Sequence, residues 1–135
     1  MISVLAYFLE EPTPEGQKPG APRALIIAPT RELALQIEKD AKALARFTQL
    51  NVASVVGGMD YQKQRDSLSK KIDILVATPG RLLDFHQKRD IDLSETEVLV
   101  LDEADRMLDM GFEPQIRRIV RAMPPTAARQ TLLFS

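Results

Sequence analysis

Five short apolar runs, separated by stretches of helical pattern, restrict this sequence to very few folds. The runs are Ala24–Ala28, Val52–Val56, Ile72–Ala77, Val98–Leu101 and Thr131–Phe134. They are rich in Val, Ile and Leu and are bounded by polar or turn residues, which predicts strands. Between them, Leu33, Ile37, Ala41 and Leu44 fall on one face of a predicted helix. Ile116, Ile119, Val120 and Met123 fall on one face of another. Strand and helix alternate, so the expected class is α/β: an open parallel sheet with helices on both faces and right-handed crossovers. No internal repeat and no domain boundary interrupts the pattern.

The flanks and the composition narrow the setting. Ile2–Leu9 is apolar nearly all round and predicts the end of a helix that continues something longer. Glu11–Pro22 holds four prolines and two glycines and predicts a surface loop. A chain of 135 residues, 44% hydrophobic, can bury one real core. No apolar run is long enough to cross a bilayer, and the first residues lack the basic segment and small-residue cleavage site of a signal peptide. The absence of cysteine excludes disulfides and thiolate metal sites and fits a reducing, cytoplasmic setting. The net charge of −1 argues against a protein that coats nucleic acid non-specifically. A phosphate-contacting surface would have to be local.

In a parallel α/β sheet, ligands bind beyond the carboxyl ends of the strands. The residues that follow each run are therefore the ones to examine. They are Pro29–Glu32 (PTRE), Gly57–Gly58, Thr78–Arg81 (TPGR), Asp102–Asp105 (DEAD) and Ser135. All five should lie along one rim. In DEAD, three acids in four residues emerge behind an all-apolar strand. One carboxylate at a strand end can hold a hydrated Mg²⁺ beside phosphates, and a second can orient or deprotonate an attacking water. The plainer alternative is that the acids cap the next helix.

PTRE and TPGR each put Thr, Pro and Arg where a helix begins. Exposed amides there attract phosphate, and Thr and Arg add contacts. Gly57–Gly58 permits close backbone approach. Three such turns on one rim could follow a polyanion's backbone without reading its bases. Ordinary capping by Thr30 and Thr78, and a tight turn at the glycines, are the competing explanations for each turn alone. His86 is expected to face solvent. Arg117, Arg118 and Arg121 are expected on a solvated helix face, and Met107, Met110 and Met123 in the core.

Taken together, PTRELALQ (Pro29–Gln36), Gly57–Gly58, TPGRLLD (Thr78–Asp84) and VLDEADRMLDMGF (Val100–Phe112) resemble, in order and spacing, the consecutive motifs of DEAD-box RNA helicases of bacterial type. The resemblance extends over essentially the whole chain. It implies an RNA-dependent ATPase that separates short duplexes or remodels RNA–protein complexes. The implied fold is a pair of RecA-like domains, with ATP and Mg²⁺ in the cleft between them and RNA across both. By resemblance, Asp102 would hold Mg²⁺ through water, Glu103 would activate the attacking water, and Asp105 would link this site to the motif beginning at Ser135. Thr30, Arg31, Gly58, Thr78, Gly80 and Arg81 would contact the RNA sugar-phosphate backbone.

The sequence contains no G-x-x-x-x-G-K-[ST] phosphate loop. The resemblance therefore makes Met1–Ser135 a partial first RecA-like domain, an internal piece whose phosphate-loop strand and second domain lie elsewhere. Such a piece is expected neither to hydrolyse ATP nor to unwind RNA by itself. Thr131–Phe134 is expected to form an exposed edge through which copies could associate. Two other functions compete with the helicase: a non-catalytic RNA-binding or protein-docking half-domain, and a DNA-directed helicase of the wider superfamily. TPGR together with the complete DEAD string disfavours the DNA-directed one.

Overall fold

The structure, a computed structural model, describes residues 17–125 and 130–134. Ile2–Leu9, the first half of the proline-rich loop and Ser135 lie outside them. Among the described residues the chain runs β1 (Ala24–Ile27), α1 (Arg31–Ala45), β2 (Val52–Val55), α2 (Tyr61–Ser67), β3 (Ile74–Ala77), α3 (Pro79–Gln87), β4 (Val98–Leu101), α4 (Ala104–Asp109), α5 (Glu113–Arg121) and β5 (Gln130–Leu133). The strands form one five-stranded sheet in the order β2-β3-β1-β4-β5, and every pairing is parallel. This is the α/β class that the alternating pattern predicted.

The three inner strands are buried along their whole length, which is why they read as unbroken apolar runs rather than as alternating ones. Successive side chains still point to opposite faces. Leu25, Ile27, Leu75, Ala77, Leu99 and Leu101 enter one core with Leu82, Phe85, Met107 and Ile119, so α3, α4 and α5 cover that face. Ile26, Ile74, Val76, Val98 and Val100 enter a second core with Ala34 and Ile37 of α1. Full burial of a side chain such as Phe85 contributes about 2–3 kcal/mol.

Several boundaries differ from the sequence expectation, each for a local reason. The third run is a strand only from Ile74. Asp73 just precedes it: its amide donates to the Asn51 carbonyl at 2.9 Å, while its carboxylate accepts the Asn51 amide at 2.8 Å and lies 3.8 Å from the guanidinium of Arg23. Arg23 is 4% exposed and also reaches Glu97 at 3.5 Å. This ionic staple sits at the amino ends of the inner strands, opposite the rim that carries the motifs. Ala28 and Val56 fall just past the ends of β1 and β2, and β5 begins at Gln130, one residue earlier than the apolar run.

On α1 the buried face is Ala34, Ile37, Ala41 and Ala45. Leu44 was expected on it, but is 43% exposed in the last turn. The small alanines let α1 lie close to the sheet. Met107 and Met123 are in the core as expected, whereas Met110 is 46% exposed, because α4 ends there after a single buried position. Arg117, Arg118 and Arg121 are on the exposed face of α5 as expected. His86 is half-buried, lining a cleft with Leu83, Arg89 and Arg118.

Candidate functional site

The connection leaving β1 runs toward β2, while the connection leaving β4 runs toward β5. Adjacent strands whose connections diverge open a crevice at their carboxyl ends, the usual ligand position in open α/β sheets. PTRE follows β1 and DEAD follows β4, so both motifs border that crevice. The turns are tied together there: the Asp102 amide donates to the carbonyl of Ile27, the last residue of β1, at 2.9 Å.

Within DEAD, each acid has its own environment. Asp102 is half-buried, and one of its carboxylate oxygens accepts the Glu103 amide at 3.0 Å. Glu103 has φ 53° and ψ 50°, the left-handed region that costs a non-glycine residue about 1 kcal/mol or more. Although it occupies the N-cap position of α4, its side chain makes no capping bond. The carboxylate instead meets Arg106 at 3.2 Å on the surface. Backbone capping of the helix therefore does not explain Glu103, whose carboxylate pairs with a side chain of the first helical turn. Asp105 is exposed in the first turn of α4. The Ala104 amide donates to the Phe134 carbonyl at 2.7 Å, which docks the end of β5 against the DEAD turn. Ser135 lies outside the described residues, so its expected link to Asp105 does too.

PTRE, Gly57–Gly58 and TPGR form one network rather than three separate turns. Thr30 caps α1, its hydroxyl accepting the Leu33 amide at 3.2 Å, so the capping explanation holds for that residue. Arg31 reaches across to donate to the Gly58 carbonyl at 3.4 Å. Gly58 has φ +77°, and a Cβ there would sit 2.8 Å from the Arg31 guanidinium. Thr78 precedes α3 but makes no side-chain cap; its hydroxyl accepts the Gly57 amide at 3.2 Å. Arg81 donates to the Met59 carbonyl at 3.2 Å and lies over the Tyr61 ring. Gly80 is exposed in the first turn of α3, with nothing within 4 Å of where a Cβ would be. The glycine turn is thus held from one side by α1 and from the other by α3.

The sequence reading missed Gln64 and Tyr61, which support this network. Both sit in the polar stretch Tyr61–Ser67, where nothing in the pattern separates them from solvated neighbours. Tyr61 stacks on Phe85 with ring centroids 4.5 Å apart.

A parallel sheet that carries PTRE, Gly57–Gly58, TPGR and DEAD along one rim has the motif layout of the DEAD/DEAH class, and the comparisons with known proteins agree. The family model described as DEAD/DEAH box helicase matches residues 1–135. The chain belongs to that family. It is similar to the ATP-dependent RNA helicase RhlB of Pseudomonas putida, 60% identical over all of this chain and 34% of that protein. The RhlB of Pseudomonas aeruginosa is 59% identical over the same shares, and that of Xanthomonas oryzae 49% identical over all of this chain and 24% of its own length. Among solved structures, the yeast DEAD-box splicing factor Prp28 superposes with a TM-score of 0.87 at 39% identity, covering 99% of this chain and 32% of its own. The fold is therefore the RecA-like one. The chain spans about a third or less of the length of these relatives.

Proposed function

We propose that the chain is part of the first RecA-like domain of a cytoplasmic, ATP-dependent RNA helicase that unwinds short duplexes or remodels RNA–protein complexes. The observation that carries this reading is the single rim. The linked turns of PTRE, Gly57–Gly58 and TPGR share it with DEAD, which follows β4 at the point where the connections diverge.

In this reading Thr30, Arg31, Gly58, Thr78, Gly80 and Arg81 hold the RNA sugar-phosphate backbone. Backbone contacts position a nucleic acid without reading its sequence, which suits action on varied RNA. The residues of DEAD fit a hydrated Mg²⁺ bound with ATP. No group of three or more His, Cys, Asp or Glu side chains that could cage a metal exists among the described residues. Asp102 would hold such an ion through water. When bound, the ion would neutralise charge on the β- and γ-phosphates. Glu103, on its left-handed turn, would take the proton of the attacking water. Asp105 transmits the state of this site to the segment at Ser135.

Without a phosphate loop the 135-residue chain by itself turns over no ATP; the activity belongs to a longer protein with a second RecA-like domain. The test is ATP turnover by that longer protein with no nucleic acid, with single-stranded RNA and with DNA of the same sequence. RNA-specific stimulation is the expected result. RNA binding with no turnover would instead make this a passive binding module, and equal stimulation by DNA would refute the RNA assignment. No described helix is long and apolar enough to cross a membrane.

A further inference from the structure

We propose that Gln64 is a positioning residue for RNA engagement, clamping the Gly57–Gly58 turn and the Arg81 guanidinium into one fixed arrangement. The proposal rests on the helicase reading above and adds a residue to it.

The need for the clamp begins at Val56. β2 ends at Val55, so Val56 has left the ladder, yet it is 1% exposed. A buried backbone amide and carbonyl require partners, and each costs about 1–3 kcal/mol if left without one. One side chain supplies both. The Gln64 Oε1 accepts the Val56 amide at 3.1 Å, and its Nε2 donates to the Val56 carbonyl at 3.0 Å. A carboxamide offers an acceptor and a donor side by side on one planar end. Asparagine is one methylene shorter, and glutamate has no donor.

The same Oε1 also accepts a hydrogen bond from Arg81 at 3.3 Å. Arg81 is therefore held at three places: Gln64, the Met59 carbonyl and the Tyr61 ring. Val56 immediately precedes Gly57, whose amide goes to Thr78. Gln64 thus fixes, through one amide group, both the entrance to the glycine turn and the direction of the arginine from the next motif. It reaches these groups from α2. Gln64 itself is half-buried, with its amide group engaged by Val56 and Arg81, and acts through them rather than by contact with RNA.

The experiment uses the full-length protein that carries this chain, with ATP turnover measured across RNA concentration, ATP concentration and salt. Two variants are compared with the parent. Gln64→Met keeps length and removes every polar contact. Gln64→Glu keeps both accepting contacts, loses the donor, and pairs Arg81 with a charge. In each variant the RNA concentration for half-maximal turnover should rise at least about five-fold. The ATP KM, and turnover at saturating RNA, should stay within about two-fold. In Gln64→Glu, neutralisation of Arg81 should also lower the slope of log affinity against log salt by about 0.7, the loss of one phosphate contact on a single strand. Should Gln64→Met fail to fold, Gln64→Glu alone decides through this slope. In an Arg81→Met background, the Gln64 substitutions should add less than about two-fold, since residues acting as a unit are not additive.

A purely structural role predicts a lower melting temperature with unchanged RNA half-saturation and salt slope. That result, or an equal rise in ATP KM, overturns the proposal. A parent protein whose turnover ignores RNA overturns the helicase reading itself, and the proposal with it.

Discussion

The backbone amide of Gly57 donates to the side-chain hydroxyl of Thr78 at 3.2 Å, across 21 residues of sequence. A threonine just ahead of a helix would ordinarily spend that hydroxyl on its own helix end. Thr78 does not cap α3, and instead fastens two motifs to each other. Replacement by valine, which keeps the shape and removes the hydroxyl, should leave the Gly57 amide to water. RNA affinity of the full-length protein should fall about five-fold, while Thr78→Ser should stay near the parent value. Fluorescence anisotropy with a labelled single strand measures both. Equal affinities for valine and serine would show that the link is dispensable.

Glu103 combines a strained backbone with a proposed chemical role, and the two can be separated. Glu103→Gln retains the side-chain length and removes the proton acceptor. ATP turnover by the full-length protein should drop about 10²–10⁴-fold with nucleotide binding retained. Glu103→Gly removes the side chain and relieves the left-handed strain, losing only a surface pair with Arg106. Its melting temperature should therefore equal or exceed the parent's, even though turnover is abolished. A clear loss of stability in Glu103→Gly, read by thermal denaturation, would contradict the strain argument.

The ionic staple at the opposite rim should matter for stability alone. Arg23 is buried between Asp73 and Glu97, and removing one partner of a buried pair typically costs about 3–5 kcal/mol. Arg23→Leu should lower the melting temperature by roughly 10 °C. The double variant with Asp73→Asn should recover part of that loss, since no buried charge is then left behind. RNA affinity measured below the transition should not change in either variant.

β5 should govern self-association of the isolated 135-residue chain. Among the described residues it pairs only with β4, and Leu133 is 67% exposed. An apolar strand edge of this kind recruits other strands. Sedimentation at rising concentration should show reversible association that Leu133→Lys suppresses. A monomer at all concentrations would count against an available edge.

The inner strands and the rim motifs were legible in the sequence because both are written in contiguous residues. Val98–Leu101 is buried on two faces, so it had to be a continuous apolar run, and the acids behind it had to emerge at its end. Leu44 misled because leucine is usually the inward residue of a helical pattern. On α1, alanines take that place so that the helix can approach the sheet. Asp73 misled because an acid inside an apolar run reads as a strand position facing out. Its partners Arg23 and Asn51 are distant in sequence and supply no local signal. Gln64 was invisible for a related reason. Its role depends on Val56 leaving the ladder one residue before the glycines, a fact of tertiary geometry that leaves no mark on the residues of α2.

The bracing of the glycine turn has a consequence for what can be measured along this rim. Contacts from Arg31, Thr78, Arg81 and Gln64 lock three turns to the ends of β1, β2 and β3, whose separation is set by the sheet's own hydrogen bonds. The distance between the proposed RNA-contacting positions is therefore a property of strand spacing, not of flexible side chains. Any strand of phosphates laid across them meets a ruler of fixed pitch. Backbones that match the pitch engage all of its marks, and those that do not must bend.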